Sequence, residues 1–212
     1  MKRVWVVVTA IAIAIGGCGN KSDDGKAAAT TARTGGAATP RQVFTELKAA
    51  VMAKNFARAL TLLRPQERKL FVGLTFLDLA MPVLLKISTS KQAVDAYADI
   101  TSKHNLNIDE TELMDVAQSR DFGALRPYFD KVLAGKDLAA LWADTAAVLP
   151  EERNRWPNIV VGEASVDGAK AKVALTLPGR DGAAIYYAIK VADRWYMDMD
   201  AFGKTRRRPP LR

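Results

Sequence analysis

Ile159-Val160-Val161-Gly162-Glu163-Ala164-Ser165-Val166-Asp167-Gly168-Ala169-Lys170-Ala171-Lys172-Val173-Ala174-Leu175-Thr176-Leu177 alternates with a period of two on either side of one Asp-Gly pair. Side chains on a strand point to opposite faces in turn, and Asp-Gly supplies the positive φ angles of a tight hairpin. The stretch therefore predicts two antiparallel strands. Ala171, Val173, Leu175 and Leu177 share one face of the second, with Lys170, Lys172 and Thr176 on the other. Pro178-Gly179-Arg180-Asp181-Gly182 reads as a loop, and a third strand follows with Ile185, Tyr187, Ile189 and Val191 on its expected inner face. Ala192-Asp193 turns into Arg194-Trp195-Tyr196-Met197-Asp198-Met199, a fourth strand with Trp195, Met197 and Met199 on one side. Four strands joined by short turns make an antiparallel meander with one buried face.

Upstream the apolar period becomes helical. Thr39-Pro40-Arg41-Gln42 has an N-cap residue, a proline at the first helical position and a glutamine where a capping box wants one. Val43, Phe44, Leu47, Val51, Leu60 and Leu63 extend a first helix until Arg64-Pro65. The second, from Pro65, is apolar nearly all round (Leu70, Phe71, Val72, Leu74, Phe76, Leu77, Leu79, Met81), as in a helix buried on most sides; Pro82 kinks or stops it. Ser88 or Ser90 caps a third, with Val94, Tyr97 and Ile100 on one face. Asp109-Glu110-Thr111-Glu112 suits the positive end of a fourth. A fifth runs from Pro127 to Leu133 with Gly135 as its stop, and a sixth from Leu138 to Val148, ended by Pro150. The expectation is an α+β domain: about six helices, then a four-stranded antiparallel meander packed against them.

The chain opens with Lys2-Arg3, a charge-free run from Val4 to Ile15, then Gly16-Gly17 and the sole cysteine, Cys18. Twelve uncharged residues, all apolar but Thr9, fall short of the ~20 a membrane-spanning helix needs and match a signal-peptide core. This leader resembles a bacterial lipoprotein signal, with Ile15 at the leucine position of the lipobox, Gly16 and Gly17 as the small residues, cleavage between Gly17 and Cys18, and Cys18 as the lipidated residue. The resemblance implies a lipid-anchored protein of the bacterial cell envelope, periplasm-facing, on the outer membrane where there is one because Gly19 is not Asp. At ~0.8 kcal/mol per buried CH₂, two or three acyl chains anchor stably. The alternative is a secreted protein with one stray thiol, an odd arrangement in an oxidising compartment.

Four segments follow: a signal peptide (1–17), lipidated cysteine and spacer (18–39), one folded domain (40–203) and a basic tail (204–212). The spacer is small, polar and rich in Gly, Ala and Thr, too poor in apolar surface to offset its ordering entropy. Of 31 basic and 23 acidic residues, the first 39 positions hold five and two and the last nine hold five and none, so the body is balanced at 21 of each. The pI of 9.6 belongs to the ends and carries no signal for nucleic acid. Arg206, Arg207 and Arg208 are candidates for contact with anionic lipid or another envelope polymer at ~1 kcal/mol per basic residue; a solvated terminus is the plainer reading.

Reactive chemistry is sparse. His104 is the single histidine, so usual zinc and copper ligand sets are excluded, and it reads as a surface residue at a helix end. Asp198 and Asp200 share a strand face and read as solvated, although a carboxylate pair is able to do acid–base work. Asp109, Glu110, Glu112 and Asp115 lack the loop of a calcium site. Tyr186, Tyr187, Trp195 and Trp156 are candidate pocket aromatics or core.

Residues 155–202, with Val-Asp-Gly-Ala joining a strand pair and Lys-Val-Ala-Asp-Arg-Trp-Tyr-Met-Asp-Met ending the sheet, are similar to the C-terminal sheet of nuclear-transport-factor-2-like, cone-shaped domains. That resemblance implies a helix pair and a curled sheet around a pocket; this chain has more helix ahead of the sheet and no early strand. Two functions stay open. One is a non-catalytic binding or scaffold domain whose protein partner is unknown. The other is a carrier of a small apolar ligand between sheet and helices, with Tyr187, Trp195 and Phe76 as candidate lining. No enzyme activity, cofactor, metal or nucleic acid is expected.

Overall fold

The computed structural model describes residues 35–87, 90–118, 122–149, 158–177 and 182–199. Among them are seven α-helices followed by four strands: α1 (Pro40–Met52), α2 (Phe56–Thr61), α3 (Arg68–Leu84), α4 (Lys91–Lys103), α5 (Glu110–Gln118), α6 (Phe122–Val132), α7 (Leu138–Val148), β1 (Val160–Asp167), β2 (Lys170–Thr176), β3 (Ala183–Val191) and β4 (Arg194–Met197). The α+β order expected from the sequence is present. None of the described helices is long and apolar enough to cross a membrane.

Thr39 caps α1, its Oγ1 accepting the Gln42 N–H at 3.2 Å. The single helix expected to Leu63 is two. After Met52 the Asn55 N–H donates to the Ala50 carbonyl and the Lys54 N–H to that of Val51, with Lys54 at φ 55°. This is a Schellman turn, which satisfies the orphan carbonyls of a helix end through one left-handed residue. Asn55 then caps α2 by accepting the Arg58 N–H at 3.0 Å. The same turn ends α3 at Lys86 (φ 53°) and α4 at Asn105 (φ 48°).

A 3₁₀ turn at Pro65–Glu67 leads into α3, whose residues 70–80 are all buried. Pro82 lies inside its last turn and the helix continues to Leu84. Ser90 caps α4; Tyr97 and Ile100 are buried, but Val94, expected beside them, is 42% exposed. Asp109 Oδ1 accepts the Glu112 N–H at 2.9 Å at the start of α5. α6 begins five residues before the expected Pro127, which sits inside it, and α7 has the predicted limits with Asp137 as its cap.

α3 is the hub of the helices and packs against α4, α5, α6 and α7. Gly73 is where α3 meets α6: a Cβ there would stand 2.3 Å from Phe129 Cγ. Trp142 of α7 is fully buried between Phe56 (centroids 5.0 Å) and Phe71 (4.8 Å), joining α2, α3 and α7.

The strands run in the order β1-β2-β3-β4, all antiparallel. Six helices were expected to cover the sheet. Instead α1 is the helix that touches all four strands, because the apolar surface of α3 is consumed by other helices. Ala171, Val173, Leu175 and Leu177 are buried as expected, as are Trp195, Met197 and Met199. β3 has the opposite phase to the one expected. Tyr186 and Ala188 lie opposite Val173 and Ala171 and are buried, while Ile185 and Val191 are exposed. Phe44 of α1 sets this phase by packing edge-on against Tyr186 at 6.0 Å.

Residues 35–39, expected to belong to the spacer of residues 18–39, are instead part of the body, and the rest of that segment lies outside the described residues. Ala37 is fully buried and exchanges two backbone hydrogen bonds with Trp195 (2.8 and 2.9 Å), so Gly35–Thr39 belong to the body and cover the β4 edge. The Met197 N–H donates to the Leu62 carbonyl at 2.9 Å and covers the rest.

Candidate functional site

The densest set of buried charges lies where the 3₁₀ turn meets the end of β4. Pro65 fixes the turn so that Arg64 precedes it and Glu67 closes it, with Glu67 fully buried. Arg64 Nη2 donates to Glu67 Oε1 and to Asp198 Oδ1, the latter at 2.9 Å. The Met199 N–H donates to the same Glu67 oxygen at 3.2 Å. Burial pushes the Glu67 carboxyl above its ordinary value; Arg64 and the Met199 N–H oppose that, and the charge on Asp198 adds to it. Asp198, read from the sequence as solvated, is therefore buried and paired. Its backbone N–H donates to the Tyr187 carbonyl at 2.9 Å. A buried carboxyl with a raised pKa has the character of a general acid, but Glu67 has no exposed surface through which a substrate would reach it. The geometry is that of a latch holding the end of the sheet to the start of α3.

The second polar set joins α4 to α7. His104 caps the end of α4, its side chain only 9% exposed, with Nε2 2.6 Å from Asp144 Oδ2; Lys103 reaches the same carboxylate at 2.8 Å. Burial works against the charge on Asp144, but Lys103 and His104 together outweigh it and hold the carboxyl below its usual range. The surface position expected for His104 is thus replaced by a bolt between two helices.

The acidic run 109–115 does not gather as a metal site. Asp109 caps α5, Glu110 accepts from Tyr97 Oη at 3.2 Å and Glu112 pairs with Lys131 at 2.9 Å. No group of three His, Cys, Asp or Glu among the described residues is placed to hold a metal ion. Burial, reinforced by Glu110, raises the Tyr97 phenol; burial with Glu112 pushes Tyr128 up to about 12.

The candidate lining residues do not converge. Phe76 is buried in α3 with its ring 5.8 Å from Tyr97, and Trp195 is buried on the inner face of the sheet. Tyr187, one residue from the inward Tyr186, is on the outer face. An open groove of about 520 Å³ runs instead along Lys91, Asp95, Ala96, Asp99 and Ile100 of α4, with Val148 of α7. Cys18, Gly17, Trp156, Asp200, Arg206, Arg207 and Arg208 lie outside the described residues. Arg64 and Glu67 stand only three residues apart, but Asp198 and Met199, which complete their cluster, are more than 130 positions away, and Asp144 is 40 from His104, so none of the three was legible in the sequence. No protein family, curated protein or solved structure matches the chain.

Proposed function

We propose that the protein is a lipid-anchored component of the bacterial cell envelope whose body is a non-catalytic binding or scaffold domain. The observation that favours a scaffold over a carrier is the filled interface between α1 and the sheet. Val43, Leu47, Val51 and Val173 have no exposed surface, and Phe44, Leu175 and Ala188 almost none. Interiors packed to that degree leave no room for a ligand of ordinary size. Both polar clusters join elements of the fold, which supports work done by the molecular surface. Lipidation at Cys18 is the membrane attachment, with Arg206, Arg207 and Arg208 as auxiliary contacts to anionic lipid.

Fractionation of cells expressing Cys18→Ser tests the anchor: the processed wild type is expected in the membrane fraction, and an unchanged distribution and size for the variant would refute it. Native mass spectrometry of the purified protein separates the two functions. A mass equal to the processed polypeptide plus its covalent acyl chains supports the scaffold, whereas extra mass lost on denaturation would support the carrier.

A further inference from the structure

Resting on the lipid-anchor reading above, we propose that the outer face of the sheet is a docking surface for anionic lipid. The observation behind it is the phase of β3. The inner face receives Tyr186 and Ala188, so the larger aliphatic side chains face away from the helices. Ile185 and Val191 stay 47% exposed, with Tyr187 and Ile189 half-buried between them. The register sets Lys172 beside Tyr187 and Lys170 beside Ile189. On the other flank it sets Tyr196 beside Ile189 and Arg194 beside Val191.

An apolar stripe thus runs between tyrosines and basic side chains. β1, the next strand out, sets acids beside those lysines, with Asp167 opposite Lys170 and Glu163 further along the same strand, and Asp193 in the β3–β4 turn pairs with Lys190; the stripe itself is flanked by Lys170, Lys172 and Arg194. A stripe of this kind is uncommon on a surface without a partner. Its chemistry is interfacial: aliphatic groups enter the headgroup boundary, tyrosines sit at that level, and lysines reach phosphate from extended stems.

A protein partner would cover apolar surface equally well, and the tether decides between them. Roughly 17 residues separate Cys18 from Gly35, so at ~3.4 Å each they reach ~58 Å at most and keep the body at high effective concentration near the bilayer. The body is also entered at this face. Tyr196 Oη donates to the Gly35 carbonyl at 3.2 Å and Arg194 Nη2 to that of Gly36 at 2.9 Å. Lipid attached through Cys18 therefore leads to the border of the stripe.

Since Cys18 is the only cysteine, an added thiol is a unique reporter on lipidated protein. Ile185→Cys and, as a control on the helical side, Lys91→Cys are introduced into the full chain expressed with its leader. Each is labelled with a polarity-sensitive maleimide dye and reconstituted into phosphatidylcholine vesicles with or without 30% phosphatidylglycerol. The expected result is a blue shift at 185 in the anionic vesicles that nitroxide-labelled lipid quenches, none at 91, and loss of the shift in Lys170→Glu/Lys172→Glu. With Cys18 unreactive in the unsubstituted chain, an unshifted dye at 185 overturns the docking face and leaves the anchor standing. A shift that grows with protein density and is not quenched by the lipid nitroxide means a second copy covers the face, and also overturns it. Labelling of Cys18 itself removes the anchor reading, and this proposal with it.

Discussion

Gly73 shows how one position serves two elements. A glycine inside a helix costs about 1 kcal/mol relative to alanine, yet here it admits the Phe129 ring, whose atoms lie 2.3–2.5 Å from where a Cβ would be. Phe129 is itself 1% exposed and has nowhere to retreat. Gly73→Ala is expected to lose about 1–3 kcal/mol through overpacking despite its better helix propensity, read as a lower urea midpoint at unchanged slope. Adding Phe129→Leu should return part of the loss; a stabilised Gly73→Ala would mean that the helices separate freely there. Glu67 carries the second prediction at this scale. Its folded pKa is raised above the ordinary 4.5, so the native state binds more protons than the unfolded chain above that pH. Stability contributed by Glu67 is full below 4.5 and is lost as pH rises through the folded value, at no more than about 1.4 kcal/mol per pH unit for one proton. Asp144 has the opposite sign: its depressed pKa adds stability above 3.8 that is lost as pH falls through the folded value. Glu67→Gln should flatten the decline of the urea midpoint on the alkaline side and leave the acid limb unchanged. An identical pH profile would show that Glu67 ionises in the folded protein as it does in water.

At the scale of elements, the helix ends carry the strain. Lys54 and Lys86 occupy left-handed positions that usually fall to glycine. Lys54→Gly and Lys86→Gly are each expected to stabilise the fold by about 0.5–1 kcal/mol in urea titrations, since relief of the Cβ clash exceeds the added freedom of the unfolded chain. A loss at either site would mean that the lysine side chain contributes more than its backbone costs. The same turns explain what the sequence disclosed. α7 was legible because its apolar run and the Pro150 that follows it are local signals. The break between α1 and α2 was not, because its left-handed residue is a lysine. The phase of β3 was illegible for a different reason: both alternating sets, Ile185-Tyr187-Ile189-Val191 and Ala184-Tyr186-Ala188, can cover a core. Pairing of Val173 with Tyr186, and of Tyr186 with Phe44 of α1, selects the less aliphatic set. The latch was out of reach altogether, because Glu67 and Met199 are 132 positions apart. Periodicity reports the faces of single elements, and the choice between two eligible faces belongs to tertiary packing.

Over the whole molecule, the open question is whether the sheet and the α3-centred helices unfold together. Their direct contact is limited, since α1 is the helix that lies on the sheet and α3 faces other helices. Three joints nevertheless cross the boundary. The buried apolar residues form one continuous cluster that includes Leu47, Leu62, Leu63, Phe71, Trp142, Val173 and Trp195. Leu62 bonds to the edge of β4, and Arg64 and Glu67 bind Asp198 and Met199 beyond it. Opening the sheet alone would take Asp198 and the Met199 N–H away from Arg64 and Glu67, and breaking one side of a buried ion pair costs about 3–5 kcal/mol where the remaining charge stays buried. That penalty is a large fraction of the stability of a domain this size, so separate opening is disfavoured. Hydrogen exchange followed by mass spectrometry is expected to find the slowest amides of β2 and of α3 with equal protection and equal response to denaturant. If β2 exchanges tenfold or more faster, a gap of about 1.4 kcal/mol, the sheet opens as its own unit. Asp198→Asn would then leave its exchange unchanged, whereas in a single cooperative body the same substitution accelerates β2 and α3 alike.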